Sequence, residues 1–159
     1  MTEEKYRKYI ITEPDRDYLK SLEGKTPKSI EEQRKAGNYF EGVYMFHLDD
    51  NILPGGFYTD CHWITAVHGN GVQTEIAHTH DFGETLGFVG SIPGKPRELG
   101  GVIEFWLEDE KYVIDKSCLI FVPAGMKHLP LIFRKVDSPI FFWTASDSRN
   151  YGRTSGNDE

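Results

Sequence analysis

Short runs of aromatic and β-branched residues recur along most of this chain, and turn-forming residues separate them. The runs fall at 42–48, 61–68, 72–80, 84–92, 101–107, 111–115, 117–123, 128–136 and 139–145. Each has the length and composition of a β-strand. The separators carry their own chemistry. Asn70-Gly71 suits a type I′ hairpin turn, which needs positive φ at both positions. The stretches at 54–56 and 93–101, rich in Pro and Gly, read as loops. Glu108–Glu110 reads as a tight solvated reversal, and Asp115-Lys116 as a further turn. Eight or nine strands with little helix predict an all-β antiparallel barrel or sandwich.

Residues 1–38 have a different texture, charged and poor in apolar residues after Ile11. Within them, 26–37 reads as one short helix. Thr26 or Ser29 can cap it, Pro27 suits its first turn, and Glu32 completes a capping box with Ser29. Gly37 suits the stop. The expected organisation is an N-terminal helical arm (1–38), a β-barrel (39–147) and a flexible polar tail (148–159).

Composition narrows the function classes. A chain of 159 residues is one domain with room for a real core. Net charge is −7 and no Lys/Arg cluster stands out, which argues against nucleic acid as a partner. The N-terminus lacks an apolar signal region, and no run is long enough to span a membrane. The expectation is a cytoplasmic protein with no membrane partner. Cys61 and Cys118 form no CxxC pair, so a cysteine-based zinc knot is excluded. Each reads as a small apolar strand residue, and the lack of a signal region argues against a disulfide between them.

The chemistry concentrates in "AHTHDFGETL" (77–86) and "PAGMKH" (123–128). On a strand, residues i and i+2 share a face, so His78 and His80 project together. Gly83 permits a bend that brings Glu84 beside them. Pro123 ends a strand, Gly125 permits a turn, and His128 opens the next strand. Three imidazoles and one carboxylate then suit one divalent first-row metal per chain, with iron or manganese favoured and nickel, cobalt and zinc possible. A six-coordinate ion would keep two open positions, the mark of a reactive site.

These two stretches resemble the paired motifs of the cupin superfamily, Gly-x5-His-x-His-x3,4-Glu-x6-Gly and Gly-x5-Pro-x-Gly-x2-His-x3-Asn. His78, His80 and Glu84 match the ligands of the first, and His128 that of the second. The chain departs at turn positions: Gly71 lies one residue too far from His78, Gly90 is one short, and Ser117 and Ile132 replace a glycine and an asparagine. The resemblance implies a double-stranded β-helix, or jelly-roll barrel, often homodimeric, with a metal bound inside.

Four further residues are pocket candidates. His62 is the histidine most suited to contact substrate; His47 and His68 read as hydrogen-bonded or surface histidines. Phe88 shares parity with Glu84 and Leu86 and is placed on the cavity wall. Glu104 and Arg134 read as solvated strand residues that, if inward, would move protons or hold a carboxylate. The functional expectation is a metal-dependent enzyme acting on a small organic substrate. Dioxygenase chemistry is slightly favoured over decarboxylase, isomerase or lyase chemistry. The rival is a non-catalytic sensor or carrier of a small ligand. A structural zinc site ranks last.

Overall fold

A computed structural model describes residues 4–150. Two antiparallel sheets face one another. The first has five strands in the order β1 (Tyr39–Leu48), β2 (Thr59–His68), β8 (Ile140–Ser146), β3 (Glu84–Gly90), β6 (Cys118–Val122). The second has three, in the order β5 (Glu110–Lys116), β4 (Glu98–Leu107), β7 (His128–Val136). The fold is all-β, of the jelly-roll type that the two motifs imply. Between the sheets lies one apolar core, in which Phe88, Ile103, Phe105, Leu131, Phe133 and Ile140 are fully buried.

Strand alternation gives each sheet an inner and an outer face. On the five-stranded sheet, Glu84, Leu86 and Phe88 point inward, level with Thr144 and Phe142 of β8. The outer positions form registered rows: Val43–Trp63–Phe141–Val89, then Phe46–Cys61–Trp143–Gly87–Leu119, then Leu48–Thr59–Ala145–Thr85–Phe121. Gly87 is required there, because a Cβ would fall 2.2 Å from the Trp143 ring. Both cysteines are free thiols.

The run at 72–80 is not a strand. Isolated bridges join it to the second sheet, Gln73 with Ile132 and His78 with His128. Side chains take the backbone bonds that a ladder would use. Glu75 Oε1 accepts from the Ile76 N–H at 2.9 Å, and His78 Nδ1 donates to the Ile76 carbonyl at 2.7 Å. The preceding turn is also displaced by one residue. Gly71 N–H donates to the His68 carbonyl at 3.2 Å, so Gly69 and Asn70 are the central pair. Gly69 takes the positive φ of 61°, and this turn joins no hairpin.

The N-terminal segment holds a 3-10 turn at Arg7–Tyr9 and two α-helices, α1 (Arg16–Leu22) and α2 (Lys28–Lys35), where one helix was expected. Asp15 caps α1 by accepting from Tyr18 N–H at 2.8 Å. The Pro14-Asp15 pair before it was the legible signal. On α2 the capping box does not form, because the helix starts one residue before Ser29, with Pro27 at the cap position and no side-chain cap bond. Gly37 ends it as expected, with φ of 87°. The loop expected over 93–101 is shorter, since β4 begins at Glu98. At the other end, residues 148–150 are pinned: Asp50 N–H donates to Arg149 O at 3.0 Å and Tyr58 N–H to Ser148 O at 2.8 Å. The rest of the expected tail, 151–159, lies outside the described residues.

Candidate metal centre

The two motif stretches are tied together by backbone bonds. His78 N–H donates to His128 O at 3.2 Å, and His128 N–H returns to His78 O at 3.1 Å. Gly125, at φ of 82°, donates its N–H to His80 O at 2.7 Å. The turn before His128 is therefore clasped to the strand-like segment that carries His78 and His80. Glu84 enters from the start of β3.

The side chains converge. His78, His80, Glu84 and His128 are each at most 4% exposed. The three imidazoles offer nitrogens within 4.8 Å of one another. His78 Nε2 lies 3.0 Å from His80 Nε2. Glu84 Oε2 lies 3.0 Å from His128 Nε2 and 3.5 Å from His80 Nε2. Burial pushes the Glu84 carboxyl up, but the two histidine contacts outweigh it and hold the group at about 2. A buried carboxylate is thus kept ionised beside imidazoles.

The outer nitrogens fix the tautomers. A carbonyl oxygen only accepts, so the bonds from Nδ1 of His78 to Ile76 O (2.7 Å) and of His128 to Met126 O (3.2 Å) place protons on Nδ1. His78 Nε2 then faces His80 Nε2 at 3.0 Å, and His128 Nε2 faces Glu84 Oε2 at 3.0 Å. Acceptors packed this closely need a proton or a metal cation between them, and a metal would take the place of the protons that the histidines otherwise share with Glu84. Three nitrogens and one oxygen, without thiolate, suit a divalent first-row metal.

The cluster borders a cavity of about 420 Å³. His78 and Glu84 open onto it, beside Leu86, Leu131 and Phe142 from the barrel and Tyr18, Leu22 and Arg34 from the N-terminal helices. His62 lines the same cavity. Its ring stacks on Phe142 at 5.8 Å and meets Tyr44 edge-on at 4.5 Å, and it makes no hydrogen bond among the described residues. Burial lowers its imidazole below the ordinary histidine value, against the opposing pull of Asp60.

Three pocket candidates lie elsewhere. Phe88 is fully buried in the core, stacked on Phe142 at 4.9 Å; Phe142 takes the wall position instead. Phe88 shares the inward face with Glu84, but it lies too far along β3 to reach the cavity. Glu104 and Arg134 face outward and pair with each other at 3.0 Å. His68 is a surface residue 2.8 Å from Glu41.

Sequence reasoning missed a second polar cluster. His47 is 1% exposed, although its run gave no sign of it. Its Nδ1 lies 2.9 Å from Asp60 Oδ1; its Nε2 lies 3.1 Å from Asp49 Oδ2 in an ion contact too bent for a good hydrogen bond. Asp60 also accepts from the hydroxyls of Tyr44 and Tyr58. Burial opposes a charge on His47, but its two carboxylates prevail and raise its pKa. The Tyr18 ring lies flat on His47, centroids 3.5 Å apart.

The two opposed antiparallel sheets are the architecture that the resemblance of the motifs to cupins implies. No family model matches the chain, and no curated protein does. Among solved structures it is similar to KdgF from Halomonas sp., with 19% identity over 70% of this chain and 81% of that one and a TM-score of 0.42. It is also similar to oxalate oxidase in complex with the substrate analogue glycolate: 12% identity, 72% of this chain, 54% of that one, TM-score 0.47. A third likeness is to the EutQ protein of Clostridium difficile: 13% identity, 72% of this chain, 70% of that one, TM-score 0.37.

Proposed function

We propose that the chain is a metal-dependent enzyme acting on a small organic molecule, with dioxygenase chemistry favoured over decarboxylase, isomerase or lyase chemistry. One observation carries this reading: inward-aimed imidazole nitrogens and an ionised carboxylate sit at the edge of a cavity of substrate size. His78, His80, Glu84 and His128 would hold the ion, with iron(II) or manganese(II) the best match to the donor set. Such an ion supplies Lewis acidity and electron transfer.

The remaining work falls to the cavity. Leu86, Leu131 and Phe142 exclude water from one side. His62, neutral and without a hydrogen bond, is placed to take a proton from a bound substrate or return one. Asp60, held by His47 and two tyrosines, presents a fixed negative wall.

The test pairs oxygen uptake with a substrate panel, using protein loaded with iron(II) or manganese(II). The reading predicts chelator-sensitive turnover restored by one of these ions, with His62→Asn slowing turnover while metal content is unchanged. A protein that retains one small molecule through purification and turns over nothing in the panel would support a sensor or carrier instead.

A further inference from the structure

The cavity beside the histidine cluster has a polar wall whose hydrogen bonds all run one way. The wall is an inward row of the five-stranded sheet. Asp60 of β2 pairs with Thr144 of β8, and Thr144 pairs with Leu86 of β3. Glu84 sits one inward step from Leu86 on the same strand. Asp60 lies two strands away from β3. That is roughly 10 Å, since neighbouring strands are about 4.8 Å apart. A small molecule held at the histidines can therefore touch this wall.

Counting protons fixes the polarity. Asp60 Oδ1 accepts from the Tyr44 hydroxyl and from His47 Nδ1–H, the latter at 2.9 Å. Asp60 Oδ2 accepts from the Tyr58 hydroxyl at 3.0 Å. A phenol has one proton, so toward Thr144 Oγ1, 3.0 Å away, the Tyr58 oxygen is the acceptor. The Thr144 hydroxyl proton is committed in turn. A carboxylate oxygen can accept twice, so Oδ2 keeps one acceptor position, and Thr144 Oγ1 keeps its lone pairs. Neither side chain has a proton left to give. Both line the cavity, whereas donors reach it from other walls, such as Arg34 of α2.

We propose that this wall selects the substrate by a hydrogen-bond donor: the molecule carries a hydroxyl or amino group that faces Asp60 and Thr144. The inference rests on the metal-dependent reading above only for the molecule's other end, which faces the histidines. A ligand that offers the wall an ether, carbonyl or carboxylate oxygen sets acceptor against acceptor and leaves both sides unpaired. The wall does not turn round to suit it. Swinging the Thr144 hydroxyl toward the ligand would forfeit its bond to Tyr58, whose own proton is committed to Asp60. The Asp60 carboxylate is fixed from behind by His47, which is 1% exposed and also contacts Asp49.

Calorimetric titration of the full chain, loaded with manganese(II) and with metal content measured on the same sample, tests it. The probes are butyrates and hexanoates ending in a hydroxyl, ammonium, methoxy or methyl group. The methyl-ended probes match the hydroxyl-ended ones in size. Hydroxyl- and ammonium-ended probes should bind about tenfold tighter, or more, than the methoxy- and methyl-ended ones. Thr144→Val keeps the shape of the side chain and removes its acceptor, so it should narrow that ratio severalfold. Asp60→Asn replaces a carboxylate oxygen by an N–H donor and should narrow it further. Metal content should be unchanged in both. Equal affinities for hydroxyl- and methoxy-ended probes in metal-loaded wild type would overturn the proposal. So would a preference that survives in folded Thr144→Val and Asp60→Asn. A protein that takes up no metal yet still prefers the donor-bearing probes would count against the metal reading and support this one.

Discussion

His78 shows how one residue builds the site. Its backbone bridges to His128, its Nδ1 ties down the Ile76 carbonyl, and its Nε2 faces His80. The bond to Ile76 both breaks the ladder and aims the ring. His47 shows the opposite use of an imidazole, as a buried cation between Asp49 and Asp60, covered by Tyr18 and with Tyr58 edge-on at 5.9 Å. Its raised pKa means that its charge-dependent stabilisation is complete below the ordinary value of 6.5 and is lost as pH rises through the folded value. Urea denaturation of wild type and His47→Gln between about pH 6 and about pH 9 should show a stability gap that narrows toward alkaline pH. A gap that widens would mean that His47 is neutral in the fold. Tyr18→Ala removes the stacked ring, at a cost of about 1 kcal/mol. It should leave metal content unchanged, because α1 supplies a cavity wall and no ligand.

At the scale of elements, the segment between β2 and β3 decides the site. Gly71 starts it at φ of 72°, and a Cβ there would fall 2.2 Å from the Phe133 carbonyl oxygen. Gly71→Ala is therefore expected to destabilise the fold by about 2 kcal/mol or more, read as a lower urea midpoint. An unchanged midpoint would show that the segment does not depend on this close approach. The sequence made most strands legible, because runs such as 128–136 are aromatic or β-branched and bounded by turn residues. It misled at 72–80, which has strand composition. There the deciding bonds run from the Glu75 and His78 side chains to Ile76, and composition does not report them. The convergence of His78, His80, Glu84 and His128 was still legible, because motif spacing survives the loss of the strand: the His78–His128 bridge restores the shared direction that strand parity was expected to provide. Phe88 failed as a wall residue because parity gives a side chain's face but not its depth along the strand. His47 and Asp60 were invisible as a pair because they meet only across β1 and β2.

On the scale of the whole molecule, two opposed sheets give this chain three surfaces with separate roles. The shared inner face holds the core, and toward one end it opens into the cavity beside the histidine cluster. The outer face of the three-stranded sheet carries the Glu104–Arg134–Lys111 charges, and that of the five-stranded sheet is largely apolar, with the Glu41–His68 pair at its β1 side. No described helix is long and apolar enough to cross a membrane. The central claim is that His78, His80, Glu84 and His128 hold one transition metal, and metal analysis tests it most directly. Protein equilibrated anaerobically with iron(II) or manganese(II), then freed of excess ion, should carry about one ion per chain. His80→Ala, verified as folded by circular dichroism, should carry almost none. Metal content that is absent in the wild type, or unchanged by His80→Ala, would contradict the account.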